Sequence, residues 1–257
     1  MRCSIVSLAV ALLAIQSWLS PKAEALVLDW GSLSWTPGAT DTTYDIDPSK
    51  PGTERVQFTG FNPDILPNYP QINSALEGGQ GAGNLSLNLS VDLGREDRFI
   101  TVTITFAGYA LGVEGVSFSL FNIDRDGAIY VDQIRSISAT AVDGVTLIAP
   151  TITNLGSSVA LTGTGLNQVL TGTGPVADTG AGSGAGNATI SFNSAIRSFT
   201  FLLGADGTAS RNPPPQAIAI GDITFSPVPE VNPLWTALAA CLLGAAGAWR
   251  RQRRFWS

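Results

Sequence analysis

The side chains with chemistry to offer across residues 26–226 are carboxylates and aromatics, because the chain has no histidine and its two cysteines, Cys3 and Cys241, fall outside that range. Thiolate and imidazole nucleophiles, disulfides and the usual zinc and copper sites each need one of the missing groups. The richest remaining run is Phe118-Ser119-Leu120-Phe121-Asn122-Ile123-Asp124-Arg125-Asp126-Gly127, followed by Asp132. Oxygen ligands at alternate positions, ending in a glycine that permits a sharp turn, are what a Ca²⁺ loop needs. Asn122, Asp124, Asp126 and Asp132 are therefore the candidate calcium ligands, and calcium is the one cofactor this sequence suggests. Asn122, Asp124 and Asp126 have EF-hand spacing, but the twelfth position is Gln133, which cannot give bidentate carboxylate ligation. The competing reading is a polar hairpin turn in which Asp and Gly supply turn chemistry only.

Trp30, Trp35 and Tyr44 lie among Asp41, Asp45 and Asp47. Flat rings pack against pyranose faces while carboxylates accept hydroxyl protons, so these three aromatics are candidates for a carbohydrate surface. Core packing is the other reading. Glu96 and Asp97 are adjacent carboxylates, which a strand would send to opposite faces, a poor arrangement for a glycosidase acid–base pair. No catalytic residue is assigned, and the expectation is a protein without enzymatic activity.

Positioning these groups falls to β-structure. Apolar residues alternate with Ser, Thr and Asn in Leu85 to Val91 and in Ile100 to Phe106, the period-two pattern of half-buried strands. Further strand-like runs are Val116 to Ile123, Ile129 to Thr140, Val145 to Ile148, Thr189 to Phe192, Ile196 to Leu203 and Ala217 to Phe225, set apart by Gly, Pro, Asn or Asp. Leu-Thr-Gly-Thr-Gly occurs at Leu161 to Gly165 and again at Leu170 to Gly174, in a glycine-rich stretch that reads as a flexible loop. Many short strands and no useful helical periodicity predict a single all-β domain, a β-sandwich of jelly-roll type, over 26–226.

The two ends are built differently. Arg2 and the unbroken apolar run Ile5 to Ile15 have the form of a signal peptide over residues 1–25, too short to span a bilayer. Ala23-Glu24-Ala25 is a small-x-small site for signal peptidase, which would make Leu26 the mature N-terminus. Residues 227–257 hold Val228-Pro229-Glu230, an apolar span from Leu234 to Trp249, and then Arg250, Arg251, Arg253 and Arg254. Arginines after such a span stay cytoplasmic, so the body lies outside and the C-terminal helix holds the inner membrane at least transiently. With the ends removed, eight Lys and Arg face eighteen Asp and Glu, a net charge of −10 that disfavours nucleic acid as a partner.

Val228-Pro229-Glu230, a hydrophobic helix and a terminal Arg cluster together look like the PEP-CTERM sorting signal. Val231 stands where that family has its second proline. The resemblance implies processing by an exosortase-like protease or transpeptidase near Val228, Pro229 and Glu230, and a host that makes exopolysaccharide and biofilm matrix. Residues 110–226 also resemble a β-sandwich module of such surface proteins, through Asn122-Ile123-Asp124, Asp132 and Gly221-Asp222-Ile223-Thr224-Phe225. The expectation is an exported, non-enzymatic cell-surface or matrix protein; the alternative is a lectin-like carbohydrate-binding module, with exopolysaccharide as ligand.

Overall fold

Alternation along Phe99–Phe106 places Ile100, Val102, Ile104 and Phe106 on one face, and that face is buried while Thr101, Thr103 and Thr105 are not. The same rule shapes a computed structural model that describes residues 24–49, 54–60, 65–81, 83–95, 97–127, 129–176 and 184–229. The strands begin β1 (Leu26–Leu28), β2 (Asp41–Tyr44), β3 (Glu54–Gly60), β4 (Gln71–Asn73), β5 (Ser86–Val91), β6 (Phe99–Phe106) and β7 (Val113–Phe121). They continue β8 (Arg125–Asp126), β9 (Tyr130–Ala141), β10 (Leu147–Ile148), β11 (Thr151–Thr153), β12 (Val159–Thr162) and β13 (Val169–Gly172). The last four are β14 (Ala188–Phe192), β15 (Ile196–Ala205), β16 (Gln216–Ile220) and β17 (Ile223–Pro227). All pairings are antiparallel, and the described residues form an all-β domain as the sequence predicts.

The strands form one curled sheet whose two halves face each other. One half runs β2, β3, β6, β15 and β9, with β13 and β12 beyond β9. In the other, β4 and β5 lead through β16 to β7, which also pairs with β17 and β14. Phe118 of β7 stacks on Phe199 of β15 with centroids 4.5 Å apart, and Phe106 of β6 meets Phe225 of β17 at 4.8 Å. Each such fully buried apolar side chain contributes about 1.5–3 kcal/mol.

Three expectations need correction. Of the run Leu85 to Val91, Leu85 is exposed but Ser86 to Val91 is buried on both faces, because the segment after β4 covers the outer one: Ser86 Oγ donates to the Leu76 carbonyl at 3.0 Å. That cover passes at Gly78, whose φ is +59° and where a Cβ would sit 2.3 Å from the Phe121 ring. The run Ala217 to Phe225 is two strands, β16 and β17, whose registers on β7 differ by one residue: Gly221 N–H still meets the Ser119 carbonyl at 2.9 Å in step with Ile220 on Leu120, and Thr224 then pairs with Ser117. Residues 161–174 are a hairpin, β12 against β13 with a 3-10 turn at Gly165–Asn167, and not a flexible loop.

The signal-peptide helix and the sorting helix fall in residues 1–23 and 230–257, outside the described residues. Among the described residues no helix is long and apolar enough to cross a membrane.

Candidate functional site

Where β7 ends, Asn122 takes a positive φ of 63°, a conformation that short polar side chains tolerate, and the chain turns back. Its Nδ2 donates to the Ala217 carbonyl at 2.9 Å, so the carboxamide ties β7 to β16. Asp124 and Asp132 come together in the interior: the Asp124 N–H donates to Asp132 Oδ2 at 3.2 Å, and the Asp132 N–H to the Asp124 carbonyl at 3.0 Å. Tyr130 O–H donates to Asp124 Oδ2 at 3.1 Å. The loop is held against the glycine-rich segment by Ile123 N–H to Gly186 O at 2.9 Å and Arg125 N–H to Gly174 O at 3.1 Å. Gly172 explains part of that composition, because a Cβ there would lie 1.9 Å from the Asp124 carbonyl oxygen.

Of the four expected calcium ligands, then, the structure brings Asp124 and Asp132 together, engages Asn122 elsewhere and leaves Asp126 exposed on β8. Among the described residues no three Asp, Glu, Cys or His side chains converge as a metal cluster.

Burial pushes the Asp124 carboxyl above the ordinary range, and the Asp126 charge pushes the same way, while hydrogen bonding with Asp132, Tyr130 and the Val176 backbone opposes them. A raised folded-state pKa gives a contribution to stability that is complete below the unfolded value near 3.8 and is lost as pH rises through the folded value. Asp124→Asn mimics the neutral acid and should lack this loss. Its stability relative to the parent, read by urea unfolding, is expected to increase as pH rises from about 4 to about 7. A difference that stays flat over that interval would show that Asp124 ionises normally.

Trp30, Trp35 and Tyr44 do gather, with the Trp30 and Tyr44 ring centroids 6.3 Å apart and those of Trp35 and Tyr44 6.4 Å apart, but they gather in the core. Their exposures are 0%, 7% and 8%, so they offer no open face on which a sugar ring can stack. The apolar surface of three large rings outweighs their polar tips: Trp30 Nε1 finds the Gly221 carbonyl at 2.9 Å and Tyr44 O–H the Ser34 carbonyl at 3.2 Å.

Trp30 nonetheless lies behind a surface cleft that the sequence reading did not single out, its backbone N–H holding the Asp222 carboxylate that lines it. The cleft has a volume of about 250 Å³ and is lined by Asp29, Gly31, Gln80, Gly83, Asn84, Leu85 and Asp222. Asp222 Oδ1 accepts the Trp30 N–H at 3.0 Å, and Asp29 Oδ1 accepts the Gly31 N–H at 2.8 Å. Burial raises the Asp222 carboxyl, the Trp30 N–H opposes this, and the Asp29 charge adds to it. Elsewhere along the lining Asn84 Nδ2 donates to the Gln80 carbonyl at 2.7 Å, and Glu77 Oε1 accepts the Gly83 N–H at 2.8 Å. Asp29 and Asp222 are 193 positions apart, and only the pairing of β1 with β17 makes them neighbours.

The described parts of the two processing motifs flank that same pair of strands. Ala25 precedes β1 directly, Val228 and Pro229 follow β17, and the Val228 N–H donates to the Gly112 carbonyl at 3.1 Å. Ala23 and Glu230 lie outside the described residues.

No known protein family matches the chain, and no curated protein matches it. Among solved structures it is similar to a carbohydrate-binding module, TmCBM27, studied for specific mannan recognition, at 14% identity over 80% of this chain and 99% of that one, with a TM-score of 0.35. It is also similar to a family 11 carbohydrate-binding module from Clostridium thermocellum, solved with a beta-1,3-1,4-mixed-linked tetrasaccharide, at 10% identity over 82% of this chain and 100% of that one, with a TM-score of 0.29. Likeness at this level carries no statement about what this chain binds.

Proposed function

We propose that this chain is an exported, non-enzymatic protein of the cell surface or extracellular matrix, a jelly-roll-like β-sandwich released from its leader by signal peptidase and processed at its C-terminal end by an exosortase-like system. The supporting observation is the closure of the domain by its first and last strands. Leu26, the residue after the small-x-small site, lies opposite Phe225, and the last strand ends at Pro227, beside Val228-Pro229-Glu230. Cuts at both motifs remove the two end segments and leave every described strand intact.

The intact mass of the protein recovered from its own host tests this. The expected mass lacks the residues before Leu26 and those after the Val228-Pro229-Glu230 region. A mass that retains Leu234 to Trp249 would make the protein a permanently tethered one and remove the exosortase step.

A second reading, a carbohydrate-binding surface module, is favoured by the cleft at Asp29 and Asp222, whose lining combines carboxylates and carboxamides. The two readings are compatible, because a matrix protein can hold the matrix through such a site.

A further inference from the structure

We infer that the cleft between Asp29 and Asp222 holds one unit of a neutral polysaccharide, with neighbouring hydroxyls of a single sugar ring set between the two carboxylates. This rests on the carbohydrate-binding reading above.

Each carboxylate is oriented before any ligand arrives, since its Oδ1 is committed to a backbone N–H, Gly31 for Asp29 and Trp30 for Asp222. The second oxygen of each remains as an acceptor. Hydroxyls suit these acceptors, because an O–H bond to a carboxylate is charge-assisted and about twice as strong as one between neutral groups. The wall carrying Asp222 is rigid, as Trp30 is wholly buried and its indole N–H is fixed to Gly221. Gln80 and Asn84 add carboxamides to the lining, and the bond from Asn84 Nδ2 to the Gln80 carbonyl fixes the plane of the Asn84 amide, with its Oδ1 as a further acceptor. Leu85, 38% exposed, offers an apolar surface to the C–H face of a ring.

The lining also selects against other ligands. Among the described residues it contains no Lys or Arg, so two negative charges repel acidic sugars, and no aromatic, so binding runs on hydrogen bonds in place of stacking. A divalent cation such as calcium wants six to eight oxygens, whereas one free oxygen on each of two carboxylates and two carboxamides supplies four. The volume falls just under the range of about 300–1,000 Å³ usual for drug-sized ligands, which suits one ring of a longer chain that continues into solvent.

Calorimetric titration of the full chain in detergent, against soluble neutral glucans and mannans and against an acidic polysaccharide, with Ca²⁺ or with EDTA, tests the assignment. Asp29→Asn keeps an acceptor for the Gly31 N–H and replaces the other oxygen by a donor; Asn84→Ala and Leu85→Ala remove exposed contacts. Each is expected to weaken binding of a neutral glycan by about tenfold or more with little change in unfolding midpoint, while Asp143→Asn, on the β9–β10 turn, leaves it unchanged. If a neutral glycan binds and all three cleft variants bind it as the parent does, the cleft assignment is overturned and the carbohydrate reading stands. If no glycan binds, both fall. Binding confined to the acidic polysaccharide, or abolished by EDTA, also overturns the assignment. Should one variant fail to fold, the remaining two decide.

Discussion

Glu54→Ala is expected to lower the unfolding midpoint of the domain by about 10 °C, a larger drop than any substitution on its surface should cause. Glu54 opens β3 with its side chain wholly buried. Its Oε1 accepts the Tyr109 O–H at 2.6 Å and its Oε2 accepts the Ile46 N–H at 3.1 Å, so one carboxylate ties β3 to the loop after β2 and to the turn before β7. A carboxylate kept from water persists only with such partners. Alanine would leave two donors without this acceptor, at about 1–3 kcal/mol each, and a void besides. At about 2–4 °C per kcal/mol for a domain of this size, the sum is near 10 °C. Glu54→Gln preserves the volume and one acceptor and should lose less. Differential scanning calorimetry measures both, and an alanine variant within about 2 °C of the parent would show that Glu54 is not the tie.

Trp30→Ala should be nearly as severe, at about 3–5 kcal/mol, because it empties the largest side chain of the core and strands the Gly221 carbonyl. The edge-on contact with Tyr44 goes as well. Trp30→Phe separates the causes: it keeps most of the apolar volume and loses only the indole N–H, so its cost should be about 1–3 kcal/mol. Urea unfolding of the two variants gives the difference. The alanine variant should also bind a neutral glycan more weakly than the parent while still folded, since the wall carrying Asp222 loses its anchor. Equal stabilities for the two variants would assign the whole effect to the hydrogen bond.

The central strands were legible in the sequence because their signals are local. Alternation in Phe99–Phe106 and Ala188–Phe192, and apolar runs in Ile196–Ala205, each follow from which face meets the core. Strands of two to four residues, such as β1, β4 and β11, give no such period and exist through their partners. Glu54 looks like any surface glutamate until Tyr109, 55 positions on, is placed beside it. The cluster after Phe121 was legible as a turn, but the directions its side chains take were not. Alternate spacing in sequence says nothing about the αL step at Asn122, which sends that carboxamide to Ala217 and leaves only Asp124 and Asp132 together. The aromatic trio was visible as a cluster, and whether it faced water or the core depended on strands far away.

β17 begins beside Asp222 and ends beside Val228, with Thr224, Ser226 and Pro227 registered against Ser117, Glu114 and Val113 of β7, and Phe225 against Leu26 of β1. Were the processed C-terminal end attached to the cell surface and a glycan bound at the cleft, as proposed above, tension would run lengthwise along this one strand. Its hydrogen bonds to β7 and β1 then share the pull in shear, stretching together, where a tether on the side of the strand would open them one at a time. The strand that closes the domain is also the one through which flow or cell movement would be felt.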